Sequence, residues 1–248
     1  MMDRIIIEEA HRETPTVVSL YFTWNLDVKP GQFVMVWIPG LGEVPMSLSM
    51  TGHKKCITVK AYGESTRKLC ELKKGDFLYL RGPYGKPFSN VKGKKLLMGG
   101  GSGMASLRSM IDDQSTGLVA AKTAEEILFE KEFKEKQFIT ATEDGSKGIK
   151  GIITDAMQKI DLSSFDMIYV CGPERMLKAV FDRLKDMNVR AEFSLERSMK
   201  CGIGLCDSCS INGFQVCLDG PTFSLDELKY MDEFGRTKLL ASGRRVMI

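Results

Sequence analysis

The sequence predicts a β + α/β protein: an antiparallel β-barrel over residues 1–92, a parallel-sheet α/β domain over 93–195, and a small cysteine-bearing segment over 196–248. Three observations carry that reading. Short apolar runs separated by Pro-, Gly- and Lys-rich turns fill the first region, as in a small antiparallel barrel. The rhythm then changes to strand, glycine or polar turn, helix, which is the pattern of a doubly wound parallel sheet. Four of the seven cysteines fall in the last fifty residues.

In the first region the strand candidates include Gln32–Ile38, Cys56–Ala61 and Asp76–Leu80. In the second they are Lys95–Met98, Leu118–Ala121, Phe138–Ala141, Met167–Val170 and Val189–Phe193. A helix is expected over Glu174–Met187, where Met176, Leu177, Val180, Phe181 and Leu184 recur at helical spacing.

Bulk properties narrow the function. The charge balance of 35 basic to 32 acidic residues, a net of +3, is too even to argue for a nucleic-acid partner. No run approaches the ~20 apolar residues of a membrane span. The N-terminal stretch has only the short apolar run Ile5–Ile7 before acid, which does not read as a secretory signal. A cytoplasmic location is therefore expected, where clustered cysteines usually mean metal. Two histidines, His11 and His53, leave little for a multi-histidine metal site.

Cys201, Cys206, Cys209 and Cys217 give C-x4-C-x2-C-x7-C, whose first three members match plant-type [2Fe–2S] spacing. Small residues in Cys201-Gly-Ile-Gly-Leu-Cys206 let backbone N–H groups approach the cluster. Asn212-Gly213 predicts a tight reversal that returns Cys217 to the others. A strict hairpin register would put Cys217 on the wrong face, so a bulge or an early strand end is expected there. A structural zinc site and a disulfide are the competing readings, although zinc ribbons favour two C-x2-C knuckles. Cys56 and Cys70 read as small buried hydrophobes.

Two turns suggest a nucleotide crevice. Gly99-Gly100-Gly101-Ser102-Gly103 follows a strand and opens an apolar helical run, so backbone N–H groups could meet a diphosphate. It departs from G-x-G-x-x-G, because Ser106 stands at the third glycine position counted from Gly101. A simple tight turn is the alternative. Cys171-Gly172-Pro173 ends another strand, and ligands of open α/β sheets sit at such ends. No clear ribose-binding acid ends the second strand, so NAD and NADP both stay open on these residues.

Taken in order, Val44-Pro45-Met46-Ser47-Leu48, Gly63-Glu64-Ser65-Thr66-Arg67-Lys68-Leu69, Gly82-Pro83-Tyr84-Gly85-Lys86-Pro87-Phe88, the glycine turn, Cys171-Gly172-Pro173, Ser194 to Cys206 and Val216-Cys217-Leu218-Asp219-Gly220-Pro221 resemble the ferredoxin–NADP reductase superfamily. More narrowly, they resemble the electron-transfer subunits of class B dihydroorotate dehydrogenase, the PyrK family. The resemblance covers most of the chain, and its C-terminal tail, Glu233–Arg236 to Ala241–Arg245, looks closer to archaeal versions.

That resemblance implies a flavin-binding barrel, with FAD held near Val44, Pro45, Met46, Ser47, Thr58, Val59, Lys60, Gly63, Ser65 and Thr66. It implies NAD(H) in the α/β domain, near Gly100, Gly101, Gly103, Cys171, Gly172 and Pro173. It also implies a [2Fe–2S] cluster on Cys201, Cys206, Cys209 and Cys217. Relatives carry arginine where this chain has Val44, which leaves the flavin-phosphate contact to Arg67 or Lys68, or a site that holds FAD weakly or binds FMN instead. No acid–base catalyst is assigned, since hydride exchange with flavin needs none.

The implied function is electron transfer between NAD and the FMN of a separate dihydroorotate dehydrogenase catalytic subunit, in pyrimidine biosynthesis. A heterotetramer of two catalytic and two electron-transfer subunits is expected, without nucleic acid or membrane. The alternatives are the same wiring serving a hydrogenase, sulfite reductase or glutamate-synthase-like partner, and a non-redox binding protein that kept the fold.

Overall fold

The computed structural model describes residues 2–134, 137–240 and 242–248, so Ala241 of the tail lies outside the described residues. β1 (Asp3–Ile6), β2 (Glu9–Thr14), β3 (Val17–Thr23), β4 (Phe33–Ile38), β5 (Gly42–Met50), β6 (Lys54–Lys60) and, after helix α1 (Glu64–Cys70), β7 (Phe77–Tyr84) form one curled antiparallel sheet. Its order is β1-β7-β4-β5-β6-β3-β2. Between β1 and β2 the Ile7 N–H donates to Asp76 and the Glu8 N–H to Tyr21, so the two ends of the sheet meet. Ile7, Leu20, Phe22, Val34, Val36, Leu48, Ile57 and Leu80 fill the inside of the curl.

The second sheet has order β11-β10-β9-β8-β12-β13-β16. Its strands are β8 (Lys95–Gly100), β9 (Ser115–Ala121), β10 (Phe138–Thr142), β11 (Ile149–Lys150), β12 (Met167–Cys171) and β13 (Ala191–Ser194), all parallel. Strands β8 and β12 are buried along their whole length, as central parallel strands must be. The helices are α2 (Met104–Leu107), α3 (Ile153–Met157) and α4 (Glu174–Leu184), the last burying Leu177, Val180, Phe181 and Leu184.

In the C-terminal region β14 (Ser210–Ile211) and β15 (Phe214–Gln215) pair as a hairpin. β16 (Thr222–Ser224) joins the second sheet antiparallel to β13. Helix α5 (Leu225–Leu228) and the hairpin of β17 (Thr237–Leu239) and β18 (Arg245–Met247) follow.

The expected α4 stops at Leu184 rather than Met187, because its apolar stripe ends there and Met187 is exposed. The helical run after the glycine turn is also broken. It comprises a 3-10 turn over Gly101–Gly103, the single turn α2, and a second 3-10 turn over Arg108–Met110.

Candidate functional site

From β8 the chain moves outward to β9, β10 and β11, then returns to place β12 on the other side of β8. The strand order reverses between β8 and β12, which is where open α/β sheets bind ligands. The glycine turn ends β8 and Cys171-Gly172-Pro173 ends β12, so the two turns face the same crevice. They touch closely: a Cβ on Gly103 would lie 2.4 Å from the Cys171 carbonyl oxygen. Gly101 has φ +52° and open space where a Cβ would be, so backbone there is free to meet a ligand.

This crevice continues into a cleft of about 500 Å³ between the two sheets. From the barrel it takes Pro45, Met46, Ser47, Thr58, Lys60 and Thr66; from the second sheet, Gly100, Gly103, Cys171, Gly172 and Pro173. An adjoining pocket of about 360 Å³ opens along the ends of β8, β9 and β10, with Gly101, Lys122, Glu143 and Arg175 on its wall. The structure thus brings most of the sequence-predicted residues to one cleft.

Four stand elsewhere. Val59 is sealed in the barrel core and Val44 packs against that core. Gly63 and Ser65 lie at the start of α1, where the Thr66 hydroxyl accepts the Gly63 N–H at 3.0 Å. Arg67 and Lys68, expected to replace an arginine at 44, turn outward: Arg67 donates to the Tyr62 carbonyl and Lys68 pairs with Glu71. Helical phase explains this, since Thr66 faces the cleft and its two successors rotate away. The cations that do line the cleft are Lys60, Arg197 and Lys238.

Thr58 is held in place from behind. Its hydroxyl sits 2.8 Å from both Ser19 and Ser49, which are fully buried. At the β12 end, burial and the charge of Glu196 push the Cys171 thiol up to about 12, against the hydroxyls of Ser106 and Ser194. The thiol is therefore protonated at neutral pH, a neutral wall rather than a nucleophile.

Sequence reasoning missed the polar group at this end: Glu174, Glu196, Arg197 and Lys238. Glu196 is reached by solvent through the cleft mouth, yet enclosure by protein, helped by Glu174, raises its carboxyl. The Ser194–Cys201 motif contains two of these residues, so the signal was present without a role attached. Glu143 was also missed; it ends the third strand of the parallel sheet rather than the second, where an acid was sought.

The cysteine loop leaves β13 and packs on β4 and β7 of the first sheet. Asn212-Gly213 forms the two-residue turn, both with positive φ, and β15 ends at Gln215, where the chain turns. That early end brings the Cys217 N–H to 3.4 Å from the Cys209 sulfur, so Cys217 rejoins the group. The four cysteines associate as two pairs. Cys206 lies within hydrogen-bond reach of Cys201, and Cys209 within reach of Cys217. A two-iron cluster takes two thiolates per iron and fits this two-and-two arrangement.

The loop backbone is oriented for it. The Gly204 N–H donates to the Cys217 sulfur at 3.2 Å, and the Leu205 N–H to the Cys201 sulfur at 3.3 Å. Although burial opposes it, N–H groups of Ile203, Leu205 and Cys206 hold the Cys201 thiol down at about 6. Burial pushes the Cys217 thiol up to about 12, so it keeps its proton unless a bound cation stabilises its thiolate.

A curled antiparallel sheet and a parallel dinucleotide sheet enclosing one cleft define the ferredoxin–NADP reductase class of flavin–nicotinamide proteins, here extended by an iron–sulfur segment. Comparisons agree. Residues 97–182 match the oxidoreductase NAD-binding domain, and residues 196–229 match the iron–sulfur cluster binding domain of dihydroorotate dehydrogenase B. In solved structures, a chain of an NADH-dependent reduced ferredoxin–NADP oxidoreductase superposes with TM-score 0.78 at 28% identity, covering 90% of this chain and 88% of that one. The FAD/NAD-binding domain of a Vibrio cholerae nitric oxide dioxygenase shares the fold, with TM-score 0.67 at 21% identity over 75% of this chain and 93% of that one.

A Thermoplasma acidophilum protein named "Probable dihydroorotate dehydrogenase B (NAD(+)), electron transfer subunit" is 50% identical over 100% of this chain and 99% of its own length. One of the same name from Methanocaldococcus jannaschii is 40% identical over 97% and 96%. The chain belongs to the family of dihydroorotate dehydrogenase B electron-transfer subunits.

Proposed function

We propose that this chain is the electron-transfer subunit of an NAD-dependent dihydroorotate dehydrogenase, carrying electrons between NAD and a separate catalytic subunit through FAD and a [2Fe–2S] cluster. When bound, the flavin exchanges hydride for single electrons and the cluster carries those electrons one at a time. One observation carries the reading: the cysteine loop packs on β4, where a Cβ on Gly202 would lie 3.1 Å from Met35, while Phe33 of that strand and Met199 just before the loop line the cleft of the nucleotide turns.

In this reading Ser47, Thr58 and Thr66 bind the flavin along the barrel wall, with Pro45 and Met46 as apolar contacts. Backbone at Gly100, Gly101 and Gly103 receives the nucleotide phosphates, and Gly172-Pro173 bounds the nicotinamide end. Cys171 excludes water without adding charge. Cys201, Cys206, Cys209 and Cys217 hold the cluster. The three regions keep the bounds 1–92, 93–195 and 196–248.

The partner docks at the cysteine loop, where Ile203, Leu205 and Leu218 are 46%, 79% and 59% exposed around Cys206. Such an apolar rim beside a redox centre suits a protein surface. The partner is an FMN-containing catalytic chain, assembled two-plus-two in the cytoplasm; no helix among the described residues is long and apolar enough to cross a membrane.

Anoxic affinity isolation from native cells tests this. A dihydroorotate dehydrogenase catalytic subunit is expected in stoichiometric amount, with dihydroorotate-driven NAD+ reduction by the pair. The likeness to a ferredoxin–NADP oxidoreductase chain favours a second reading, another redox partner. Recovery of such a partner would keep the wiring and overturn the pyrimidine assignment.

A further inference from the structure

Arg81 on β7 makes an arrangement that neither the nucleotide cleft nor the cysteine spacing requires. Its Nε and Nη2 donate to the two carboxylate oxygens of Glu43 on β5, each at 2.6 Å. Its Nη1 donates to the backbone carbonyl of Cys201 at 2.7 Å, and to the Tyr84 hydroxyl at 3.3 Å. Nη2 also reaches the Lys200 carbonyl at 3.4 Å. The two side chains are only 18% and 22% exposed.

The geometry is built across three strands. β4 lies between the partners, pairing Met35 with Arg81 and Trp37 with Glu43. The carboxylate takes one edge of the guanidinium, so the other edge is aimed at the cysteine loop. The next loop residue, Gly202, packs on the same strands: a Cβ there would lie 3.1 Å from Met35. Only a planar fork can serve a carboxylate and two carbonyls together; an ammonium has no fixed directions.

We propose that Arg81, oriented by Glu43, is a positioning residue for the iron–sulfur loop, fastening the Cys201 carbonyl to the flavin barrel and setting where the cluster stands relative to the cleft. The proposal rests on the reading of Cys201 as a cluster ligand. Arg81 does not line the cleft and bonds no sulfur, and it acts through the backbone that carries the first cysteine pair. Its charge has a second effect. A guanidinium beside the loop favours an added electron on the cluster, and the Glu43 carboxylate opposes it.

The test uses the full chain, purified anoxically with its cluster, in wild-type, Arg81→Gln, Arg81→Lys and Glu43→Gln forms. Three quantities are read: the electron paramagnetic resonance line shape of the reduced cluster, its reduction potential, and the rate of iron loss to a chelator. Arg81→Gln is expected to broaden the signal, lower the potential and release iron several-fold faster. Arg81→Lys should fall between Gln and wild type, and Glu43→Gln should raise the potential.

Should Arg81→Gln not fold, the Lys and Glu43 variants carry the test alone. A potential and iron-loss rate unchanged in the Arg81 variants, or a Glu43→Gln potential shifted downward, would overturn the clamp while leaving the proposed function standing. A wild-type chain that holds no iron–sulfur cluster after anoxic purification and reconstitution would overturn both.

Discussion

The Arg197 guanidinium lies 2.6 Å from Glu174, with the two side chains only 2% and 8% exposed. The pair ties the start of α4 to the strand exit that becomes the cysteine loop. Arg197 also donates to the Thr237 carbonyl, and Glu174 accepts from the Gly235 N–H, so the C-terminal turn is held too. Burial works against both charges, raising the Glu174 carboxyl and lowering the Arg197 guanidinium. Removing one partner leaves the other charge stranded. Glu174→Ala is expected to cost about 3 kcal/mol in chemical denaturation, and Glu174→Leu with Arg197→Met to recover most of it.

Cys206 is the exposed member of the first pair, whereas Cys209 and Cys217 are both buried. Cys206→Ser should abolish the iron–sulfur absorption while flavin stays bound and NADH still reduces an artificial acceptor, since the cleft is built from other elements. Iron analysis and a diaphorase assay check this. Loss of both activities together would show that cluster and flavin sites do not stand apart.

Periodicity and turn chemistry made much of this legible. The buried strands β8 and β12 showed as short apolar runs, and the Asn212-Gly213 turn with an early strand end followed from needing Cys217 back. What could not be read depends on distance in sequence. Arg81 meets Cys201 across 120 residues, and nothing local distinguishes it from any surface arginine of a strand. Arg67 and Lys68 misled because composition alone does not give the phase of a one-turn-long contact. Glu143 was missed because an acid was sought at the end of the second strand of the parallel sheet, and Glu143 follows the third.

Glu143 stands on the wall of the smaller pocket with Lys122 and Arg175. Those two cations would welcome a ribose phosphate, and the carboxylate would repel one. Glu143→Gln is expected to lower KM for NADPH about tenfold relative to NADH, on the order of 1.4 kcal/mol. Steady-state kinetics with both nucleotides measures it. An unchanged ratio would place the discriminating group elsewhere.

Glu196 gives a pH signature. Although solvent reaches the side chain, the protein enclosing its carboxyl, then Glu174, raises it in the folded chain, so the native state holds the proton more tightly than the unfolded one. The stability this contributes is full below the unfolded carboxylate range and is lost as pH rises through the folded value. Glu196→Gln should therefore raise Tm at a pH of about 8 and leave it nearly unchanged at about 4. Thermal unfolding of the cofactor-free chain across that range checks the sign; an equal shift at both ends would mean that the charge is not involved.

Val44 packs beside the barrel core, and the candidate replacements for an arginine there, Arg67 and Lys68, are engaged elsewhere. No cation of the cleft wall comes from β5, whose cleft residues are Pro45, Met46 and Ser47. β5 therefore supplies no cation where the resemblance implies a phosphate contact. An arginine can lay its aliphatic stem along the core and carry its head outward, so the substitution need not bury charge. Val44→Arg should add a charge-assisted hydrogen bond worth about 2 kcal/mol, tightening FAD binding by more than tenfold. Flavin titration by fluorescence quenching measures it directly. Unchanged affinity would mean that Lys60 or Lys238 already balances the phosphates. A tightened FAD with FMN unaffected would locate the new contact at the diphosphate, because only the dinucleotide extends that far.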